Sequence, residues 1–186
     1  MTAEESAEPE RPPVPFGLVW AIKRSFVRYV ERMPDGEGFL ADGAVPMAPD
    51  MVLFPAIEHA RSGVDRDADH FWAFRGDVRF RGHAGLLSVR IGAPQLTVSS
   101  GRAELTIVDP FGPDESARLP LVTLQLERGP APAGAAVWLG SDVRLTAAGA
   151  ELFSGVYPPG EPFDQLSVVL PAAAGGDVEH LQEPTP

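Results

Sequence analysis

Residues 71–107 read FWAFRGDVRFRGHAGLLSVRIGAPQLTVSSGRAELTI. Apolar side chains recur at every second position: Trp72, Phe74, Val78 and Phe80, then Leu87, Val89 and Ile91, then Leu96 and Val98, then Ala103, Leu105 and Ile107. A period of two is that of strands with one buried face, and the glycines, prolines and aspartates between the runs sit at hairpin spacing. Leu119 to Leu126, Trp138 to Thr146 and Leu166 to Leu170 continue the pattern. Such a series predicts a mainly β fold, an antiparallel β-sandwich or sheet. The chain shows no internal repeat.

Working outward, the N-terminal side predicts one amphipathic α-helix, from about Leu18 to Met33. Leu18, Ile22, Ser25, Phe26, Tyr29 and Met33 recur at three- and four-residue spacing, and Val19, Val27 and Val30 widen the apolar side. Pro34-Asp35-Gly36 ends it, because proline disfavours helix in the residue before it. On this reading Tyr29 lies on the buried side of the last turn. The chain to Asp69 reads as loop, apart from a short strand at Met51-Val52-Leu53-Phe54. Residues 1–15 and 172–186 are polar and proline-rich, so an arm and a tail too poor in apolar residues to pack are expected around one domain spanning 16–171.

Composition removes several classes of function. The 186 residues contain no Cys, which excludes disulfides, thiolate metal sites, Cys nucleophiles and c-type haem attachment. A net charge of −11 repels phosphate backbones, so nucleic acid is not an expected partner. Lys23, Arg24, Arg28 and Arg32 form the main basic cluster, readable as a solvated helix face or as a positive collar for an anionic ligand. No apolar run is long enough to span a membrane and no leader is visible, so the expected location is cytoplasmic. The chain has no glycine-rich phosphate loop, no HExxH and no nucleophile elbow. His59, His70, His83 and His180 are not spaced as a metal cluster. Gly134, Gly140, Gly149 and Gly155 read as turn residues.

Two contexts stand out. Tyr29, one of only two tyrosines, interrupts an apolar helix face in Ser25-Phe26-Val27-Arg28-Tyr29-Val30. His83 sits in the turn of Phe80-Arg81-Gly82-His83-Ala84-Gly85-Leu86-Leu87, where flanking glycines let the backbone approach a flat ligand or another chain segment. Taken alone, each also reads as ordinary structure: a core-edge tyrosine and a turn histidine.

At these places the sequence resembles the HtaA domain, a haem-binding module of actinobacterial haem-uptake proteins. Gly17-Leu18-Val19-Trp20 leading into Ser25-Phe26-Val27-Arg28-Tyr29-Val30 is similar to the family's Trp…Ser-Phe-x-x-Tyr opening. Val78-Arg79-Phe80-Arg81-Gly82-His83-Ala84-Gly85-Leu86-Leu87 is similar to its Phe-x-Gly-His-x-Gly-x-Leu strand and turn, with Ala84 where glycine is common. Leu145-Thr146, Gly149-Ala150, Phe153-Ser154-Gly155-Val156-Tyr157-Pro158-Pro159-Gly160 and Phe163-Asp164 resemble the family's end. The three blocks run in family order from about residue 17 to about residue 170.

The resemblance implies a ferric haem held by Tyr29 as axial ligand, with His83 hydrogen-bonded to the ligating oxygen. Ser25, one turn before Tyr29, would face a propionate. Trp20, Phe26 and Phe80 are candidates for the apolar pocket wall and equally for plain core. The chemistry agrees: a phenolate is a hard anionic donor that favours Fe(III), and an imidazole beside it tunes the charge it keeps. Protonating that imidazole would weaken the bond and favour release. The implied role is haem acquisition, transfer or buffering without turnover, with another haem-carrying protein as a partner. Known members are exported or surface-bound, in contrast to the location expected above. The alternative is a cofactor-free β-sandwich interaction module on the same fold.

Overall fold

The computed structural model describes residues 15–57 and 68–172. The expected arm and tail fall outside the described residues, except for their innermost positions 15 and 172, and so do His59 and His180. In chain order the elements are β1 (Gly17–Trp20), α1 (Arg24–Arg32), β2 (Glu37–Ala41), β3 (Val45–Met47), β4 (Met51–Pro55), β5 (His70–Ala73), β6 (Asp77–Gly82), β7 (Leu87–Gly92), β8 (Gln95–Ser99), β9 (Arg102–Val108), β10 (Arg118–Gly129), β11 (Ala135–Leu145), α2 (Ala147–Leu152) and β12 (Leu166–Pro171). The mainly β, antiparallel expectation holds.

The strands form two sheets. Nine make the order β3-β4-β1-β12-β11-β10-β9-β8-β5, and three make β2-β6-β7. The larger sheet curls until its far strands meet: Ala56 bridges Phe74, with Ile57 N–H donating to Ala73 O and Arg75 N–H to Pro55 O. Each such contact removes exposed backbone donors and acceptors from a sheet edge. The smaller sheet packs its Val78, Phe80, Val89 and Ile91 into the same core as Leu105, Ile107, Leu121 and Val168 of the larger one. Trp72, Phe74, Val78 and Phe80 therefore do not share one strand face. The chain changes sheets between them at Gly76 (φ 121°), where an added Cβ would meet Ala44 at 3.0 Å.

The helix begins later than periodicity predicts. Gly17–Trp20 is a strand, paired with β12 on one side and β4 on the other. Leu18, Trp20 and Ile22 are buried; Leu18 and Ile22 alone fit a helix face as well as an alternating strand, but Trp20, about 200° round a helix from Leu18, fits only the strand, and tertiary pairing decides. Ile22 then takes a left-handed turn (φ 62°), and Asp164 Oδ2 accepts the Arg24 N–H at 2.6 Å, fixing the helix start from the other end of the chain. A carboxylate there also complements the helix dipole.

A second helix, α2, was not expected. Thr146 caps it, its Oγ1 accepting the Gly149 N–H at 2.9 Å. Gly149 is not a turn glycine: an added Cβ would sit 2.5 Å from Leu121 O. Gly140 likewise lies within β11, where a Cβ would meet Leu124 and Leu166 at 2.7 Å, whereas Gly134 and Gly155 are turns with positive φ. β2 and β3 fall inside the predicted loop.

The hairpin of β6 and β7, which carries His83, is pinned at its base by Asp77. Its side chain is 1% exposed and accepts from Arg79 Nε at 2.9 Å, Arg79 Nη2 at 3.0 Å and Arg90 Nε at 2.6 Å. Burial pushes this carboxyl up, but the two guanidinium groups outweigh it and hold it below the usual carboxylate range. A depressed native value stabilises the fold above the unfolded carboxyl's ordinary value and loses that contribution as pH falls through the native one. Asp77→Ala is expected to cost about 1.5–3 kcal/mol at neutral pH, the usual scale for hydrogen bonds to charged groups. It should also make the acid-side loss of stability shallower, read as urea midpoints between neutral and acidic pH.

Candidate functional site

Helix α1 turns Phe26 and Val30 into the core. Tyr29 lies beside that stripe, about 100° round the helix from Val30. It is 48% exposed, which corrects the expectation that it faces the interior. Counting tyrosine as apolar broadens the predicted face, but Phe26 and Val30 alone fill the contact. The phenol is left at the surface in the helix's last turn. Its Oη lies 2.5 Å from His83 Nε2, with ring centroids 5.9 Å apart. The pair can exist with the phenol donating to a neutral imidazole, or with Nε2–H donating to a phenolate.

The histidine is presented by a short 3-10 turn, His83–Gly85, joining β6 to β7. His83 and Ala84 have φ of 52° and 53°, a left-handed conformation that costs an L-residue roughly 1–2 kcal/mol. Two residues just beyond the end of α1 hold this turn. Met33 packs so closely under Gly82 that an added Cβ would lie 2.6 Å from Met33 Cε. Asp35 Oδ2 accepts the Ala84 N–H at 2.6 Å. That N–H, opposed by desolvation and aided by the His83 N–H, keeps the Asp35 carboxyl below its usual range. The Pro34-Asp35-Gly36 terminator thus both ends the helix bearing Tyr29 and grips the turn bearing His83.

Ser25 lies one turn before Tyr29 and, like it, is exposed, although the predicted spacing set both on the apolar face. Near it is Tyr157, whose hydroxyl is pushed up by burial first, then by Glu161 and Tyr29, with Ser25 opposing them. Tyr157 belongs to the segment after α2 and packs edge-on to Phe26 at 6.4 Å. The residue types alone did not single it out; its only signal was the third block of resemblance. Its neighbour Val156 is 70% exposed, and Leu86, which follows the histidine turn, is 87% exposed. Beside them, Gly85 and Gly155 have open space where a Cβ would be.

The three aromatic candidates are core. Trp20 is 0% exposed and donates its Nε1–H to Asp164 O at 2.8 Å. Phe26 and Phe80 are buried edge-to-face against each other at 5.1 Å. None offers a free ring face to a flat ligand; Phe26 and Phe80 form packing beneath the helix. The basic collar is split too. Lys23 pairs with Glu161 at 2.8 Å and Arg24 with Asp164 at 3.0 Å, while the exposed Arg28 and Arg32 show no ion pair with a carboxylate among the described residues. His70 is elsewhere, stacked on Trp72 at 5.2 Å and beside Trp138 at 5.0 Å. Among the described residues no three His, Asp or Glu side chains converge to hold a metal ion, and no helix is long and apolar enough to cross a membrane.

The family model HtaA (Htaa) matches residues 16–169. The fold is similar to that of the N-terminal domain of HtaA from Corynebacterium glutamicum: 23% identity, 87% of this chain and 98% of that one, TM-score 0.67. The C-terminal domain of the same protein is similar at 22% identity, over 84% and 98% of the two chains, TM-score 0.61. The heme binding protein HtaB from Corynebacterium glutamicum is similar at 16% identity, over 82% and 93%, TM-score 0.58. No curated protein matches the chain.

Proposed function

Since this chain belongs to the HtaA family, we propose that it binds one ferric haem through the Tyr29 oxygen and carries it without chemical turnover. The observation that supports this most is the Tyr29–His83 pair: a half-exposed phenol with an imidazole nitrogen 2.5 Å from its oxygen. The surroundings fit a broad apolar group with a hard cation at its centre. A phenol oxygen stands at the surface, exposed Leu86 and Val156 adjoin the two loops beside it, and Gly85 and Gly155 leave room. When bound, ferric haem supplies a Lewis-acidic iron for the phenolate.

The chain's own part is to manage one proton and one orientation. Ligation requires Tyr29 Oη to lose its proton, and His83 Nε2 is the acceptor at hydrogen-bond distance. Afterwards Nε2–H donates back to the phenolate, fixing the oxygen and moderating its charge. Ser25 and the exposed Arg28 would meet a carboxylate at the rim. A site this open suits handing haem to a partner protein. A second reading, a module without cofactor, leaves the surface pairing of Tyr29 with His83 without a purpose.

The test is transfer. His83→Ala, loaded with hemin, should release it to an excess of a haem-scavenging protein roughly 10- to 100-fold faster, the scale for losing a partner of a metal ligand. Its absorption spectrum should shift as well. An unchanged rate and spectrum would remove His83 from the site. Peroxide consumption by the loaded protein at enzymatic rates would replace carriage with catalysis.

A further inference from the structure

Two consecutive residues that are not glycine, His83 and Ala84, sit in left-handed backbone at the tip of the hairpin. Left-handed pairs are disfavoured for L-residues and need an outside restraint to persist. The restraint comes from the segment just after α1: Asp35 Oδ2 takes the Ala84 N–H at 2.6 Å, and Met33 closes on Gly82. Ala84 is exposed, as is Leu86 beyond it, so little packing holds the tip from its other side. Tyr29 stands one turn before Met33 on the same helix. A single short segment therefore sets both partners of the pair.

We propose that Asp35 is a positioning residue for His83: its carboxylate clamps the Ala84 N–H and thereby holds the imidazole against the Tyr29 oxygen. The inference deepens the haem-binding reading and rests on it for one of its two readouts. A carboxylate accepting a backbone N–H forms a charge-assisted bond, stronger than the bond an amide oxygen would make. Removing it frees the tip to relax from the left-handed conformation, and His83 swings away from Tyr29. Glycine at position 84 adopts that conformation without penalty, so it should restore the turn where the clamp is gone.

The first readout needs no haem. Protein labelled with carbon-13 at the tyrosine Cζ contains two tyrosines, Tyr29 and Tyr157, assigned by Tyr29→Phe. His83→Ala should move the Tyr29 resonance. Asp35→Ala should move it most of the way to the same position, Asp35→Asn should fall between, and Ala84→Gly added to Asp35→Ala should bring it back. A Tyr29 resonance that Asp35→Ala leaves in place while His83→Ala moves it overturns the proposal. The second readout is hemin release. Asp35→Ala should speed it several-fold in otherwise unmodified protein and add nothing in the His83→Ala background; full additivity there overturns the proposal. Should Tyr29→Ala leave haem binding intact, the ligand assignment falls while the haem-free resonance still decides the role of Asp35.

Discussion

Tyr29→Ala is expected to lower hemin affinity by more than about 100-fold, beyond the loss typical of a metal ligand's supporting partner. The fold should hardly notice. Tyr29 is half-exposed, Phe26 and Val30 carry the helix's contact with the core, and the hydrogen bond to His83 lies at the surface. Thermal unfolding of the haem-free variant should stay close to that of the unmodified protein. Added hemin, which raises the melting temperature of a protein that binds it only when folded, should no longer do so. Affinity by absorption titration and melting temperature by calorimetry separate the two effects.

Trp20→Ala should do the reverse. This side chain, on the strand β1 that pairs with β4 and β12, is fully buried, touches Phe163 at 6.3 Å between ring centroids, and donates to Asp164 O. Cutting a buried tryptophan to alanine costs about 3–5 kcal/mol. At roughly 2–4 °C per kcal/mol for a chain of this size, melting should fall by about 6–20 °C. Asp164 also receives Arg24 N–H and Arg24 Nη1, so freeing it loosens the start of α1. Hemin affinity measured below the transition should fall far less than in Tyr29→Ala. A near-native melting temperature with selective loss of hemin would return Trp20 to the pocket wall.

The legible parts of the sequence were those where one physical constraint acted alone. From β6 to β9 each strand has one buried face, and alternation reports it. At Leu18 and Ile22 two periodicities coincide; Trp20 between them fits only the strand, which pairing with β4 and β12 selects. β2 and β3 are mostly exposed, so they leave no hydrophobic trace. α2 is six residues of mainly alanine and glycine whose chief signal is the Thr146 cap. Tyr29 and His83 drew notice as a rare residue on a helix and a histidine between glycines, but they are 54 positions apart, and their pairing came from the family resemblance. Asp35 left no mark beyond being an acid in a turn; its contact with Ala84 exists only once the hairpin is folded against the helix.

The central claim, a single Tyr-ligated haem, is tested most directly by titrating the purified protein with hemin and following absorption, alongside Tyr29→Phe. That variant keeps the ring and removes only the oxygen. The expected result is saturation at one hemin per chain with a high-spin ferric, tyrosinate-ligated spectrum, absent in Tyr29→Phe. Failure to saturate, or the same spectrum in Tyr29→Phe, would contradict the assignment and leave the fold serving another purpose.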